Sequence, residues 1–369
     1  MVRRKILSLC GTFVDLPSVT ERNLQLSTQH LTITMNYKTF FNKGLCILAI
    51  ITLGSPLFIF AQKTSIITTK KEYTFLPDVF YGDDQQNSFD LYLPQSNKTQ
   101  VPLVVFFHGG SFRNGDKTQL IRQYPLISNL LDHDIAFASV NYRFIKDDDS
   151  LGVQKCINDA VRFIQFIRFN ADEYGIDKAS IGCYGESAGA GISLYLAFHD
   201  DMAEAATSDP VRKESTRVQC VGAIATQATY NLPRWKSYIP GLALVYPLVK
   251  HRLKDPLANF YGYKTYSDLK PNHKAVMSKL DMIDMISPDD PPVWLWSPTT
   301  DKIKKGIPHN ANQLFHHPAH AKIIGRKAQK VKLVHFVYTS KKERSVPFSL
   351  SSFFIAYLSP TAQKQNIAK

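Results

Sequence analysis

The chain has 369 residues, 44% hydrophobic and 12% aromatic, with 18 Gly and 20 Pro. That composition excludes collagen, coiled coil, a disordered tail and a disulfide-dense miniprotein. The 44 Lys and Arg against 31 Asp and Glu give a net charge of +13. This excess is spread along the chain without a long basic block, so it points to no nucleic-acid partner.

Residues 1–34 are polar and unpatterned. From Met35 the chain reads MNYKTFFNKGLCILAIITLGSPLFIFAQK, in which Lys38 and Lys43 precede an apolar run from Gly44 to Phe60 and a small residue, Ala61. This is the layout of a secretory signal peptide. The expected organisation is an upstream extension over 1–34, a signal peptide over 35–61 and a mature domain over 62–369. An uncleaved anchor is the alternative, because a run of 17 apolar-rich residues is near the lower limit for spanning a bilayer. Pro56 and the Ile59-Phe60-Ala61 end favour cleavage, which implies a secreted or periplasmic protein with no stable membrane span. Removing residues 1–61 lowers the net charge to +9. The processed chain keeps Cys156, Cys183 and Cys220, an odd number that reads as core cysteines, with one disulfide left open.

Beyond the leader, Asn87–Leu93 alternates Phe89, Leu91 and Leu93 on one face, as a half-buried strand does. Val101–Phe107 and Ile135–Val140 are continuous apolar runs, suited to strands covered on both faces. Leu151–Tyr174 has apolar positions at helical spacing, with Gly175 placed as a C-cap. Ser180–Tyr184 predicts a strand and Ser187–Phe198 a helix. Val218–Ala225, Pro292–Trp296 and Val331–Thr339 predict further strands, and Pro318–Gln329 and Pro347–Tyr357 predict helices. Strand–helix alternation of this kind predicts an α/β fold with a mostly parallel sheet and helices on both faces. The rhythm breaks near 226–291, a stretch dense in Tyr, Trp and Pro that reads as a cap-like insertion.

Gly185-Glu186-Ser187-Ala188-Gly189 falls between a predicted strand and a predicted helix. Gly-x-Ser-x-Gly in that context is a nucleophile elbow, with glycines where strand and helix approach closely and a serine exposed on the turn between them. Upstream, the Val101–Phe107 strand ends in His108-Gly109-Gly110. A bare-backbone loop there supplies N–H groups which, with that of Ala188, form an oxyanion hole from Gly109, Gly110 and Ala188. His108 reads as a structural residue of that loop.

These motifs, together with Ser139-Val140-Asn141-Tyr142-Arg143, Asp159-Ala160-Val161-Arg162-Phe163 and Tyr174-Gly175-Ile176-Asp177, follow the order seen in α/β-hydrolase carboxylesterases and lipases. The chain resembles secreted bacterial esterases of the feruloyl and acetylxylan esterase kind, most clearly over 87–189. The resemblance implies an eight-stranded, mostly parallel sheet. It also implies a serine esterase that works through an acyl-enzyme, without cofactor or metal, on a small-molecule or glycan-linked ester.

The family's acid lies just after the strand that here is Pro292–Trp296, which makes Asp301 its match. Asp289 and Asp290 precede that strand and read as turn or cap residues. The family's histidine normally follows the last strand, but residues 340–347 contain none. His335 lies within that strand and reads as a core residue. The substitutes are His309, His316, His317 and His320. His317, or its neighbour His316, is the candidate base, on the loop before the helix that Pro318 starts. Three readings stay open: a secreted carboxylesterase, a catalytically impaired hydrolase fold used for binding, and a peptidase. A zinc cluster of His316, His317 and His320 is disfavoured, because no carboxylate or cysteine accompanies it.

Overall fold

The structure, a computed structural model, describes residues 67–147, 149–249, 254–299, 310–339 and 346–358. These belong to one compact unit, Ser65–Lys369. The leader expected over 35–61, the extension over 1–34, Asp301 and His309 lie outside the described residues.

Eight strands form one sheet: β1 (Tyr73–Phe80), β2 (Ser88–Pro94), β3 (Val101–Phe107), β4 (Ala136–Val140), β5 (Ile176–Glu186), β6 (Val221–Ile224), β7 (Val293–Trp296) and β8 (His335–Tyr338). Their spatial order is β1-β2-β4-β3-β5-β6-β7-β8. The first two pairings, β1 with β2 and β2 with β4, are antiparallel, and every later pairing is parallel. This is the α/β-hydrolase arrangement that the motif order implied. The central strand β3 is buried throughout because helices cover both faces, which is why it reads as an unbroken apolar run.

On one face, Leu103, Val105 and Phe107 pack with α2 (Val153–Phe169) and α3 (Ala188–Phe198). On the other, Val104, Phe106 and Tyr184 pack with α1 (Tyr124–Asp132) and with Leu350, Phe353 and Phe354 near the carboxyl end. The two-residue period of the strands divides the cysteines between these faces. Cys183 of β5 joins the first cluster and Cys220, just before β6, the second, although the Cys183 N–H donates to the Cys220 oxygen. All three described cysteines are free and buried, so the open disulfide reading does not hold. Burial pushes the Cys156 and Cys183 thiols up to about 12, leaving them inert.

Several expected elements shift. The helix expected to reach Tyr174 ends at Phe169, capped at Asn170, and Gly175 serves instead the turn into β5, at φ +62°. The strand expected from Val331 begins at His335, because Val331 closes the preceding helix. His335 is half-buried on the outer strand, so it is not a core residue. Between β6 and β7 the described chain folds into α4 (Leu242–Val249), α5 (Lys254–Phe260), α6 (Tyr266–Leu269), α7 (His273–Ser278) and α8 (Met282–Met285), in the place of the expected insertion. Its aromatics pack downward: Tyr230 and Phe260 lie against Phe112 of the loop after β3, at 5.4 and 6.0 Å between ring centroids.

Candidate active site

The elbow has the expected strain. Ser187 sits at φ 54°, ψ −112°, between the end of β5 and the first residue of α3. For a residue with a side chain this is a costly backbone conformation, sustained only by its surroundings. Those surroundings are tight. A Cβ at Gly185 would lie 2.1 Å from the Gly189 carbonyl carbon, and one at Gly189 would lie 2.0 Å from the Phe107 oxygen. Only glycine lets β3, β5 and α3 meet this closely. The Ser187 N–H donates to the Ile224 oxygen at 2.9 Å, tying the turn to β6. Ala188 is the first residue of α3, and the first N–H groups of a helix have no partner within it.

The loop after β3 closes against this turn. Gly109 lies so near Ser187 that an added Cβ would stand 3.5 Å from the serine Cβ. Gly110 takes φ +116°, where a Cβ would strike the Asn114 oxygen. His108 Nδ1 lies 2.7 Å from the Gly109 oxygen. A carbonyl only accepts, so Nδ1 carries the proton. Because C=O and N–H point in opposite directions across a trans peptide, pinning that oxygen turns the Gly110 N–H the other way. Tyr142 holds His108 in turn, stacking on its ring at 4.5 Å and donating from its hydroxyl to the His108 oxygen at 2.8 Å. Asn141 Oδ1 accepts from the Lys117 N–H at 2.6 Å, and Arg143 grips Asp159 with paired contacts of 2.9 and 2.5 Å. Asn141 and Tyr142 therefore brace this loop, while Arg143 and Asp159 tie the segment after β4 to α2.

The histidine arrives from a segment beyond β7. Here α9 (Ala311–Phe315), N-capped by the Asn310 side chain, precedes α10 (Ala319–Val331). His316 occupies the C-cap of α9, and its Nε2 lies 2.8 Å from Ser187 Oγ. Its Nδ1 lies 2.8 Å from Asn312 Oδ1. Burial lowers the His316 pKa below the usual imidazole value, which keeps the ring neutral.

His317, the first-named candidate base, does not take this place. It is buried, and its Nδ1 accepts from the Ala319 N–H at 3.0 Å, capping α10. Adjacent residues leaving a helix point in different directions, so one neighbour faces the serine and the other the helix. His320 is fully buried. Its Nδ1 receives the Ala228 N–H at 3.1 Å and the Tyr238 hydroxyl at 3.0 Å, and its Nε2 donates to the Leu314 oxygen at 3.1 Å. Asp290 accepts from the Ser287 N–H at 2.8 Å in the turn before β7, as expected. Among the described residues no three His, Cys, Asp or Glu side chains gather as a metal would need. Asn312 was not singled out from the sequence; its only signal there is spacing, one helical turn before His316.

The chain matches the BD-FAE family over residues 89–317, well over half its length, and belongs to that family. It is thus a member of a carboxylesterase-type hydrolase family. Among curated proteins it is 30% identical over 166 residues to a probable isoprenylcysteine alpha-carbonyl methylesterase of Arabidopsis thaliana, covering 43% of this chain and 33% of that one. It is 27% identical over 135 residues to a juvenile hormone esterase of Tribolium castaneum, covering 34% and 22%. The chain thus spans a third or less of the length of these relatives. Among solved structures, a truncated carbohydrate esterase from gut microbiota superposes with a TM-score of 0.56 at 15% identity, over 79% of this chain and 98% of that one. An acetyl ester-xyloside bifunctional hydrolase from Caldicellulosiruptor lactoaceticus gives 0.51 at 16%, over 82% and 99%. At such identities the likeness is one of fold. Among the described residues no helix is long and apolar enough to cross a membrane.

Proposed function

We propose that the protein is an exported serine carboxylesterase working through an acyl-enzyme, on a small or carbohydrate-linked ester. The observation that carries this reading is the 2.8 Å contact between Ser187 Oγ and His316 Nε2, on a strained elbow beside a glycine loop. Ser187 Oγ attacks the ester carbonyl carbon while its proton passes to His316 Nε2. The carbonyl oxygen, now an oxyanion, takes hydrogen bonds from the N–H groups of Gly109, Gly110 and Ala188. Collapse breaks the bond to the alcohol, which leaves with the proton from His316. Water then repeats the sequence on the acyl-serine and releases the acid. Export rests on the signal-like segment over 35–61, and the carbohydrate link rests on that segment and the motif resemblance.

The contact also weighs against an impaired, binding-only fold, whose ground was the missing histidine after the last strand. Ser187→Ala is expected to abolish turnover of p-nitrophenyl acetate and covalent labelling by a fluorophosphonate, with the melting temperature retained. Turnover by the variant, or a wild-type serine that does not label, would overturn the proposal. Acetylated and feruloylated saccharides are expected to exceed p-nitrophenyl butyrate in kcat/KM, and the reverse ranking removes the carbohydrate link. N-terminal sequencing of protein recovered outside the cell is expected to begin just after Ala61.

A further inference from the structure

His316 has two ring nitrogens and two partners. Nε2 faces Ser187 Oγ and Nδ1 faces Asn312 Oδ1, each at 2.8 Å. An amide oxygen accepts and never donates, so the proton sits on Nδ1 and the Nε2 lone pair is free to receive the serine proton. That is the tautomer a general base needs. A carboxylate on Nδ1 would choose the same tautomer and would also stabilise the imidazolium; an amide does only the first.

The geometry at Asn312 is set by the fold. Asn312 and His316 are four residues apart across the single turn of α9, so their side chains share one face. The Asn310 side chain caps that turn by accepting from the Gln313 N–H at 2.9 Å. At its other end, Gln227 Nε2 donates to the Phe315 oxygen at 2.9 Å, and the Phe315 ring lies 5.8 Å from that of Trp235. Burial lowers the pKa of His316. Of the described rings nearby, His317 Nδ1 accepts from the Ala319 N–H and His320 Nε2 donates to the Leu314 oxygen.

We propose that Asn312 is a positioning residue of the catalytic base, holding the proton of His316 on Nδ1. This rests on the serine-esterase reading. During turnover the Nδ1 proton stays where it is, because the amide oxygen cannot take it. Only the Nε2 proton shuttles between Ser187, the leaving alcohol and water.

The test compares full-length Asn312→Ala, Asn312→Asp and Asp301→Asn with wild type, following p-nitrophenyl acetate turnover against pH and the rate of fluorophosphonate labelling. Asn312 is exposed, so its variants are expected to melt with wild type. Asn312→Ala is expected to lower kcat and the labelling rate by about ten- to hundredfold, with KM little changed. Asn312→Asp is expected to keep turnover and to move the acid limb of kcat/KM upward by about one pH unit, since a carboxylate favours the protonated ring. An Asn312→Ala rate within twofold of wild type overturns the inference, whether or not Asp301→Asn is impaired, and so does an acid limb that Asn312→Asp leaves in place. A wild-type serine that fails to label sinks the esterase reading itself. A labelled wild type with an unaffected Asn312→Ala sinks only the role of Asn312.

Discussion

A serine hydroxyl is a poor nucleophile until a base at hydrogen-bond distance accepts its proton, and that base must be neutral when substrate arrives. At His316 neutrality comes from burial, which disfavours the charged ring and lowers its pKa. Activity requires the unprotonated ring, so the acid limb of kcat/KM is expected to lie below the ordinary imidazole value of about 6.5. A pH–rate profile with its acid limb at or above that value contradicts the assignment. His316→Ala is expected to cost on the order of 10³-fold in kcat/KM. His317→Ala, which removes the acceptor for the Ala319 N–H, is expected to leave the acid limb where it was. A collapse in His317→Ala with turnover retained in His316→Ala would exchange the two histidines.

At the scale of elements, the oxyanion loop shows which parts of the site were legible. The His108-Gly109-Gly110 and Gly185–Gly189 motifs could be read because their glycines answer to local geometry, where a side chain would strike backbone within about 2 Å at Gly110 and Gly189. The strands β3, β4, β6 and β7 were legible because burial on both faces imposes an apolar run. The strand β5 starts at Ile176, four residues before the expected Ser180, since Asp177 and Lys178 near its start are polar and partly exposed. By contrast β1 was missed: it lies at the sheet edge with half-buried and exposed positions, and it carries Pro77 and Asp78. The histidine was legible only to within two neighbours. Which of His316 and His317 faces the serine depends on where α9 stops and α10 starts, and periodicity does not fix helix ends to one residue. The motifs around Asn141 and Asp159 were readable as resemblance, but what each holds emerges only from contacts. Tyr142→Phe tests the bracing of the loop. It leaves the buried His108 oxygen without its 2.8 Å donor, for about 1–2 kcal/mol. A fall in melting temperature of roughly 2–4 °C is expected, with kcat reduced more than KM as the Gly110 N–H loses its fixed direction. Unchanged kcat would separate the tyrosine from the oxyanion loop.

For the whole molecule, the site depends on the insertion staying docked, and His320 is its clasp. This ring, without exposed surface, joins the start of the insertion at Ala228, its first helical turn at Tyr238 and Trp235, and the segment before α10 at Leu314. The two contacts at Nδ1, from Ala228 and Tyr238, need the neutral ring with its proton on Nε2. Burial is the main reason its pKa falls to about 3, with the nearby His317 and His316 rings pushing the same way. A histidine whose folded pKa lies below its unfolded value contributes stability that is complete above about pH 6.5 and is lost as pH falls toward the folded pKa. The unfolded chain binds the proton first and draws the equilibrium with it. His108 and His316, also lowered by burial, act in the same direction. Between pH 6.5 and 4.5 the wild-type protein is therefore expected to lose stability steeply, with His320 alone contributing up to about 1.4 kcal/mol per pH unit. His320→Gln is expected to be less stable at pH 7, because it gives up buried hydrogen bonds, yet to lose less on acidification. Urea midpoints at pH 7, 5.5 and 4.5 measure both slopes, and parallel slopes for the two proteins would show that His320 is not the acid-sensitive clasp. The same acidification is expected to slow fluorophosphonate labelling of Ser187 more than protonation of His316 alone accounts for. The insertion that His320 holds also carries Gln227, which fixes the end of α9 and with it the position of the base.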